Sequence, residues 1–179
     1  MFALKSADRT GAGFNETGKV TTPERSLSMA ATIAESPNDE DTMGEVRVQV
    51  KLINAVDEVL ARKGALGTQQ VRSYQADALV DSGAIRTVIP SHVLQALGLE
   101  ISRNQVAEYA DGRKDVVGLS EPIKIEIMGR DTVDEALVLG DEVLIGQTVI
   151  EKLDLLIDCA RRRLVPNPAH PDQPVSKVK

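Results

Sequence analysis

Apolar and polar residues alternate from Val46 onward, with Val46, Val48, Val50 and Leu52 separated by Arg47, Gln49 and Lys51. Successive side chains of a strand point to opposite faces, so this pattern predicts a half-buried β-strand and the start of a folded domain at Glu45. A polar, glycine-containing connection, Asp57 to Gln70, leads to a second strand over Val71 to Val80. After Pro90 the period changes: Val93, Leu94 and Leu97 fall on one helical face, with Ser91 placed to cap the start of a short helix and Gly98 its end. "QVAEYADGRKDVVGL", Gln105 to Leu119, reads as a projecting hairpin around Asp111-Gly112, a pair suited to a two-residue turn. Ile123, Ile125 and Ile127 alternate up to a turn at Gly129-Arg130, and Val133 to Leu139 returns. "VLIGQTVIEKLDLLID", Val143 to Asp158, predicts a strand, a glycine, a short helix and another strand, and "RRRLVP", Arg161 to Pro166, closes the domain. Many short strands with one or two short helices predict an all-β fold, a closed or nearly closed small barrel of about 120 residues.

The flanks carry no such periodicity. Residues 1–44 are rich in Ser, Thr, Ala and Gly and end in the acidic "ESPNDEDTMGE", so a disordered N-terminal tail is expected, with Met43 offering an alternative start of translation. Residues 45–166 form the predicted domain, and the Pro-rich residues 167–179 are expected to be a disordered C-terminal tail. Composition narrows the chemistry. Aromatic residues are 2% of the chain and Trp is absent, leaving a core of Val, Leu, Ile and Ala and little with which to stack on bases or sugars. A net charge of -6 without a Lys/Arg-rich element argues against nucleic acid as a partner. One cysteine, Cys159, excludes an internal disulfide and a cysteine-ligated cluster, and with only His92 and His170 no multi-histidine metal site is expected. Cysteine usage fits a reducing cytosol, no apolar run is long enough to span a bilayer, and no signal peptide is recognisable, so a cytoplasmic protein without a membrane partner is expected.

The most informative stretch is "ALVDSGAIRTVIP", Ala78 to Pro90, where an apolar strand ends in an acid, a hydroxyl and a glycine. Asp, Ser and Gly are ordinary turn residues, but an ionised carboxylate buried among Leu79, Val80 and Ile85 is costly unless hydrogen bonds or function hold it. Further along, Leu144-Ile145-Gly146 repeats the apolar-to-glycine transition and enters a short helix.

This ordered set resembles the retropepsin-like aspartic proteases, the single-lobe relatives of retroviral proteases, over about Val46 to Pro166. "ALVDSGA" resembles the catalytic loop, "YADGRKDVVG" the flap, and "VLIGQTVIEKLDLLID" the second loop and its helix. The resemblance implies a catalytic Asp81, a Ser82 hydroxyl that braces two loops, a Gly83 that admits close backbone approach, and Ala84 as the small residue that follows. It places Tyr109, Ala110, Asp111, Gly112 and Arg113 at the flap tip over the substrate, and Leu144, Ile145 and Gly146 in the second loop. Ile85 and Arg86 depart from the polar residues that retroviral enzymes carry next.

Peptide hydrolysis of this type needs two carboxylates sharing one proton, and the chain holds no second acid in an equivalent setting; Asp111 and Asp141 lie in polar, turn-like runs. The resemblance therefore implies a two-fold homodimer that assembles one site from two Asp81 side chains, acts on an extended peptide, and uses no metal or cofactor. The rival readings are a non-catalytic dimer of the same fold that binds peptides or partner proteins in its cleft, and a generic β-barrel scaffold in which Asp81 merely caps a turn, which a monomer with an exposed, unpaired Asp81 would favour. Ala84, lacking a hydroxyl, leads us to expect a less acid-shifted optimum than Ser or Thr would give. Other chemistries are weaker. Ser82 lacks a G-x-S-x-G elbow, Asp81 lacks the second acid expected of a phosphoryl acceptor, and "GALG", Gly64 to Gly67, is too short for a phosphate-binding loop. Arg161 to Arg163 reads as a solvated turn and Cys159 as a half-buried filler.

Overall fold

The alternation that opens the domain becomes β1 (Arg47–Asn54), in which Val50 and Leu52 are buried while Gln49 and Lys51 face water. A computed structural model describes residues 44–176, so the expected N-terminal tail lies outside the described residues except for Gly44. Nine strands form one sheet in the order β4 (Ile101–Glu108), β5 (Lys114–Ser120), β8 (Leu137–Val138), β3 (Val88–Ile89), β9 (Leu144–Gly146), β2 (Ser73–Asp81), β1, β6 (Ile123–Ile127) and β7 (Arg130–Asp134). The fold is mostly β with few helices in one curled sheet, as the expected closed or nearly closed barrel requires, and among the described residues no ladder joins its edges β4 and β7. A separate ribbon pairs β10 (Leu155–Asp158) with β11 (Arg163–Pro166).

Most neighbours are antiparallel, and two of these pairs, β4–β5 and β6–β7, are hairpins. The two exceptions, β2 with β9 and β3 with β8, are the strands around the Asp81 loop. Val133 to Leu139, expected as one strand, divides: β7 pairs with β6, while β8 pairs with β3 and β5. The Ile123, Ile125 and Ile127 face is buried as the alternation predicts. The turn after it uses Met128 and Gly129, with φ of 53° and 77°, rather than Gly129 and Arg130. Two positive φ values match strand twist in a two-residue hairpin, and Arg130 is thereby drawn into β7 and buried.

Helices outnumber the one or two expected: α1 (Ala55–Arg62), α2 (Ser91–Ala96) and α3 (Gln147–Lys152), with a single 3-10 turn at Thr68–Gln70. The missed α1 occupies what reads as a polar connection. Its N-cap is Asn54, whose Oδ1 accepts from the backbone N–H groups of Val56 and Asp57 at 3.0 Å each, and Asp57 and Glu58 place negative charge in its first turn. Asn54 Nδ2 also donates to the carbonyl oxygen of Leu97 at 3.0 Å, joining α1 to the end of α2. The α2 cap differs from expectation as well: the residue before the first turn is Pro90, whose carbonyl oxygen accepts from Val93 and Leu94, and Ser91 lies inside the helix. Gly98 ends that segment with φ of +58°, and a Cβ there would lie 1.7 Å from Arg72 Nη1. Arg72 forks onto the buried Asp57 at 2.6 and 2.7 Å, which holds that carboxyl below its usual pKa.

The core is aliphatic. Leu52, Ile89, Leu97, Ile123, Ile125, Ile145, Val149 and Leu153 are almost wholly buried, in one cluster that joins the sheet to the apolar sides of α2 and α3. Residues 167–176 of the expected C-terminal tail lie against the domain. Asp154 accepts from Asn167 Nδ2 at 2.8 Å and faces His170 Nδ1 at 2.7 Å, and the buried Arg130 donates to the carbonyl oxygen of His170 at 2.6 Å. Cys159, expected as a half-buried filler, is exposed in the β10–β11 turn. Among the described residues no helix is long and apolar enough to cross a membrane.

One passage fixes where the Asp81 loop can lie. A Cβ on Gly146 would stand 2.5 Å from the carbonyl carbon and oxygen of Arg86 and 3.0 Å from the carbonyl oxygen of Ala84. No side chain fits against that backbone.

Two outcomes are expected in urea unfolding. Asn54→Ala removes both the α1 cap and the donor to Leu97, and lowers stability by about 2 kcal/mol; an unchanged midpoint would remove the cap from this account. Gly146→Ala forces the loop off β9 and costs about 2 to 3 kcal/mol, whereas alanine at Gly140, where a Cβ meets nothing within 4 Å, costs only the strain of its positive φ.

Candidate active site

Asp81 is the last residue of β2. Side-chain alternation along this strand buries Ala78 and Val80 and sends Asp81 to the opposite face, where it is half-buried. Its Oδ1 accepts from the backbone N–H of Gly83 at 2.8 Å, and its carbonyl oxygen accepts from Ala84 at 3.3 Å. This is the short-range turn that an Asp favours, and it aims the carboxylate over the loop that follows. The sequence-based expectation of an acid sealed among Leu79, Val80 and Ile85 is corrected: Ile85 is 76% exposed and Leu79 only half-buried. The carboxylate sits at a wet edge, and among the described residues no ion pair engages it.

The parallel register sets Leu79 against Leu144, Val80 against Ile145 and Asp81 against Gly146. The two motifs are thus neighbours although six strands, β3 to β8, separate them in sequence. Beyond Asp81 the loop crosses β9. The N–H groups of Gln147 and Thr148, the first of α3, donate to the carbonyl oxygens of Ala84 and Ile85 at 2.7 and 3.1 Å. These are helix-terminal donors that have no partner within the helix. Thr87, which is fully buried, closes the passage: its carbonyl oxygen accepts from Leu137 at 2.9 Å, and its Oγ1 stands 3.5 Å from the Gly146 nitrogen. Ser82 and Gly83 are exposed, and the Ser82 hydroxyl makes no hydrogen bond within the described residues.

The expected flap is the β4–β5 hairpin. Its connection is longer than the two residues predicted. Tyr109 donates to the carbonyl oxygen of Arg113 at 2.8 Å and accepts from Gly112, so Ala110, Asp111 and Gly112 form a three-residue loop with Gly112 at φ +80°. Asp111 holds the tip by accepting from the Arg113 backbone N–H at 3.0 Å, and the Arg113 guanidinium lies 4.8 Å from the Tyr109 ring centre.

Between loop and hairpin runs a groove of about 380 Å³. Gly83, Ala84, Ile85 and Arg86 form one wall, Gln105 to Tyr109 the other, and Val88, Leu137 and Leu139 the floor. Of the residues expected at the site, Gly83, Ala84 and Tyr109 meet here. Asp81 stands at the head of the loop, outside the lining, Leu144 to Gly146 lie behind it, and Asp111, Gly112 and Arg113 lie beyond the groove at the tip. Sequence reasoning missed Arg86, Val88, Leu137 and Leu139. The last two come from a segment that looked like one continuous strand, and nothing in its pattern marks the break at Glu135 and Ala136 that turns β8 toward the loop. A second cavity, about 270 Å³, is lined in part by Tyr74, Asp77, His92 and Glu142. Two of its three acids, Asp77 and Glu142, already hold Arg47 at 2.9 and 2.8 Å, and the third is Asp141. Among the described residues no group of three His, Cys, Asp or Glu side chains is gathered to hold a metal ion.

No family model matches the chain, and no curated protein matches it. Among solved structures it is similar to the retroviral protease-like domain of Ddi1 from Leishmania major, at 17% identity over 69% of this chain and 90% of that chain, with a TM-score of 0.43. It is also similar to the simian foamy virus (mac) protease, at 16% identity over 58% of this chain and 90% of that chain, with a TM-score of 0.37.

Proposed function

We propose that the chain is an aspartic endopeptidase that works as a homodimer, with Asp81 of each copy supplying one of two paired carboxylates. The observation that carries this reading is the state of Asp81: an acid at a strand end, oriented by the Gly83 N–H, without an ion-pair partner among the described residues, on a loop that borders a groove of about 380 Å³. The surroundings fit a second copy. Ser82 is exposed with an unengaged hydroxyl, and Ile85 presents a bare aliphatic side chain to water, which a facing loop would cover.

In such a pair, one carboxylate is ionised and the other keeps the proton, because two like charges in contact cannot both ionise. The ionised acid takes a proton from a water molecule as its oxygen attacks the peptide carbonyl carbon, and the protonated acid donates to the carbonyl oxygen. The tetrahedral adduct then breaks its C–N bond as the nitrogen receives a proton, and the products are an amine and a carboxylic acid. The β4–β5 hairpin borders the groove in which an extended substrate would lie, and its closing would exclude water from the reacting bond.

The test compares wild type with Asp81→Asn on an unstructured protein substrate from about pH 4 to about pH 7. Wild type should cleave, with a bell-shaped profile: rate falls in acid when both carboxyls are protonated and no base remains, and falls toward neutrality when both are ionised and no acid remains. Asp81→Asn should lose about 1,000-fold. Equal cleavage by the two proteins ends the reading, and no cleavage by either moves weight to a groove that only binds peptide. Dilution supplies a second check. While dimer is the minor species, the rate should scale with the square of chain concentration; a strictly proportional rate at every concentration, from a monomer in sedimentation, contradicts a shared site.

A further inference from the structure

Arg86 lines one wall of the groove, close enough to Glu135 for their charges to interact. Glu135, in the break between β7 and β8, receives both terminal nitrogens of Arg103 at 2.6 Å each. That fork, first, and the nearby charge of Arg86, to a lesser extent, hold the Glu135 carboxyl below its usual pKa. Arg86 thus stands near an acid that is already engaged. Among the described residues its guanidinium has no hydrogen bond and no ion pair. Three described arginines lack a partner, and of these Arg62 and Arg162 are exposed whereas Arg86 is half-buried. Glu108, the other charged residue of the groove lining, is paired with Lys114 at 3.0 Å.

The groove therefore presents one unmatched positive charge against an apolar floor of Val88, Leu137 and Leu139. A guanidinium without a partner is free to take an anion, and its planar fork suits a carboxylate. The opposite wall indicates the form in which that carboxylate comes. β4 is an edge strand, with a row of backbone groups on its free side able to pair with an extended chain.

We propose that the groove selects extended peptides carrying an Asp or Glu whose carboxylate pairs with Arg86, making Arg86 a specificity-determining residue. This rests on the reading of the groove as a peptide cleft, but not on catalysis. The occupant is a peptide acid rather than a basic one, which Arg86 would repel.

The test is binding of a degenerate library of unstructured decapeptides to the full chain carrying Asp81→Asn, so that no peptide is consumed. Asp and Glu should be enriched at one position about tenfold over Lys and Arg, and the preference should weaken as salt is raised. Adding Arg86→Gln should erase the enrichment, Arg86→Glu should invert it, and Arg86→Lys, which keeps the charge without the fork, should retain part of it. Thermal midpoints of the four proteins separate loss of selectivity from loss of fold. Failure to retain any peptide, retention without an acidic preference, or a preference that survives both Arg86→Gln and Arg86→Glu would each overturn the inference. Cleavage by wild type is scored separately. Acid-selective binding without cleavage keeps this inference and ends the endopeptidase reading, while cleavage without acid selectivity does the reverse.

Discussion

Everything at the site depends on the contact between the Asp81 loop and the start of α3. Gly146 leaves no room for a side chain, so the carbonyls of Ala84 and Arg86 lie directly on the β9 backbone. The unpaired N–H groups of Gln147 and Thr148 then find acceptors in the loop. One backbone contact satisfies a helix terminus, pins a loop that has little secondary structure of its own, and fixes the register of β2 against β9. A carboxylate must be placed to within a fraction of an ångström to act on another group, and here the placement comes from backbone hydrogen bonds rather than from flexible side chains.

The same contact sorts the loop's polar groups. Inward-facing carbonyls are bonded to α3, and Thr87 is buried and bonded to β8 and β9. The outward groups are left open: the Asp81 carboxylate, the Ser82 hydroxyl, and the apolar Ile85 side chain. In this chain aliphatic side chains are the core material, and Ile89, Ile123, Ile125, Ile127 and Ile145 are all buried. Ile85, two residues from the turn glycine, is 76% exposed, the most exposed of the large apolar side chains among the described residues. The proposed pairing of two copies would set these open groups against one another.

How much of this the sequence discloses depends on whether a feature is local. The alternation at Val46 to Leu52 and at Ile123 to Ile127 reports a face in contact with the core, and it is read directly. The Asp-Ser-Gly turn after β2 and the glycine before α3 are equally local. α1 was also encoded locally, by Asn54 and the first-turn acids, but the polar stretch around them favours reading a loop, since its apolar stripe is thin. By contrast, the division of Val133 to Leu139 between two neighbours, the parallel pairing of β2 with β9, and the exposure of Ile85 are set by what passes overhead. No periodicity in the segment itself carries that information. Arg86 is of the same kind: its significance lies in Arg103 having taken Glu135, and those three residues are contributed by three separate parts of the chain.

Electrostatics then distinguishes positions that composition treats alike. With a net charge of -6, most cations of the described chain are tied to acids, among them Arg47 to Asp77 and Glu142, Arg72 to Asp57, Arg103 to Glu135, and Lys124 to Glu58. Such pairs at the surface contribute little to stability, but together they determine where charge remains unmatched. Around the groove two groups do so: the Asp81 carboxylate at the head of the loop and the Arg86 guanidinium five residues later. Both belong to the loop whose backbone is positioned by the close approach at Gly146. If the loop carries both the reacting acid and the selecting cation, then the close approach at Gly146 governs specificity as well as catalysis.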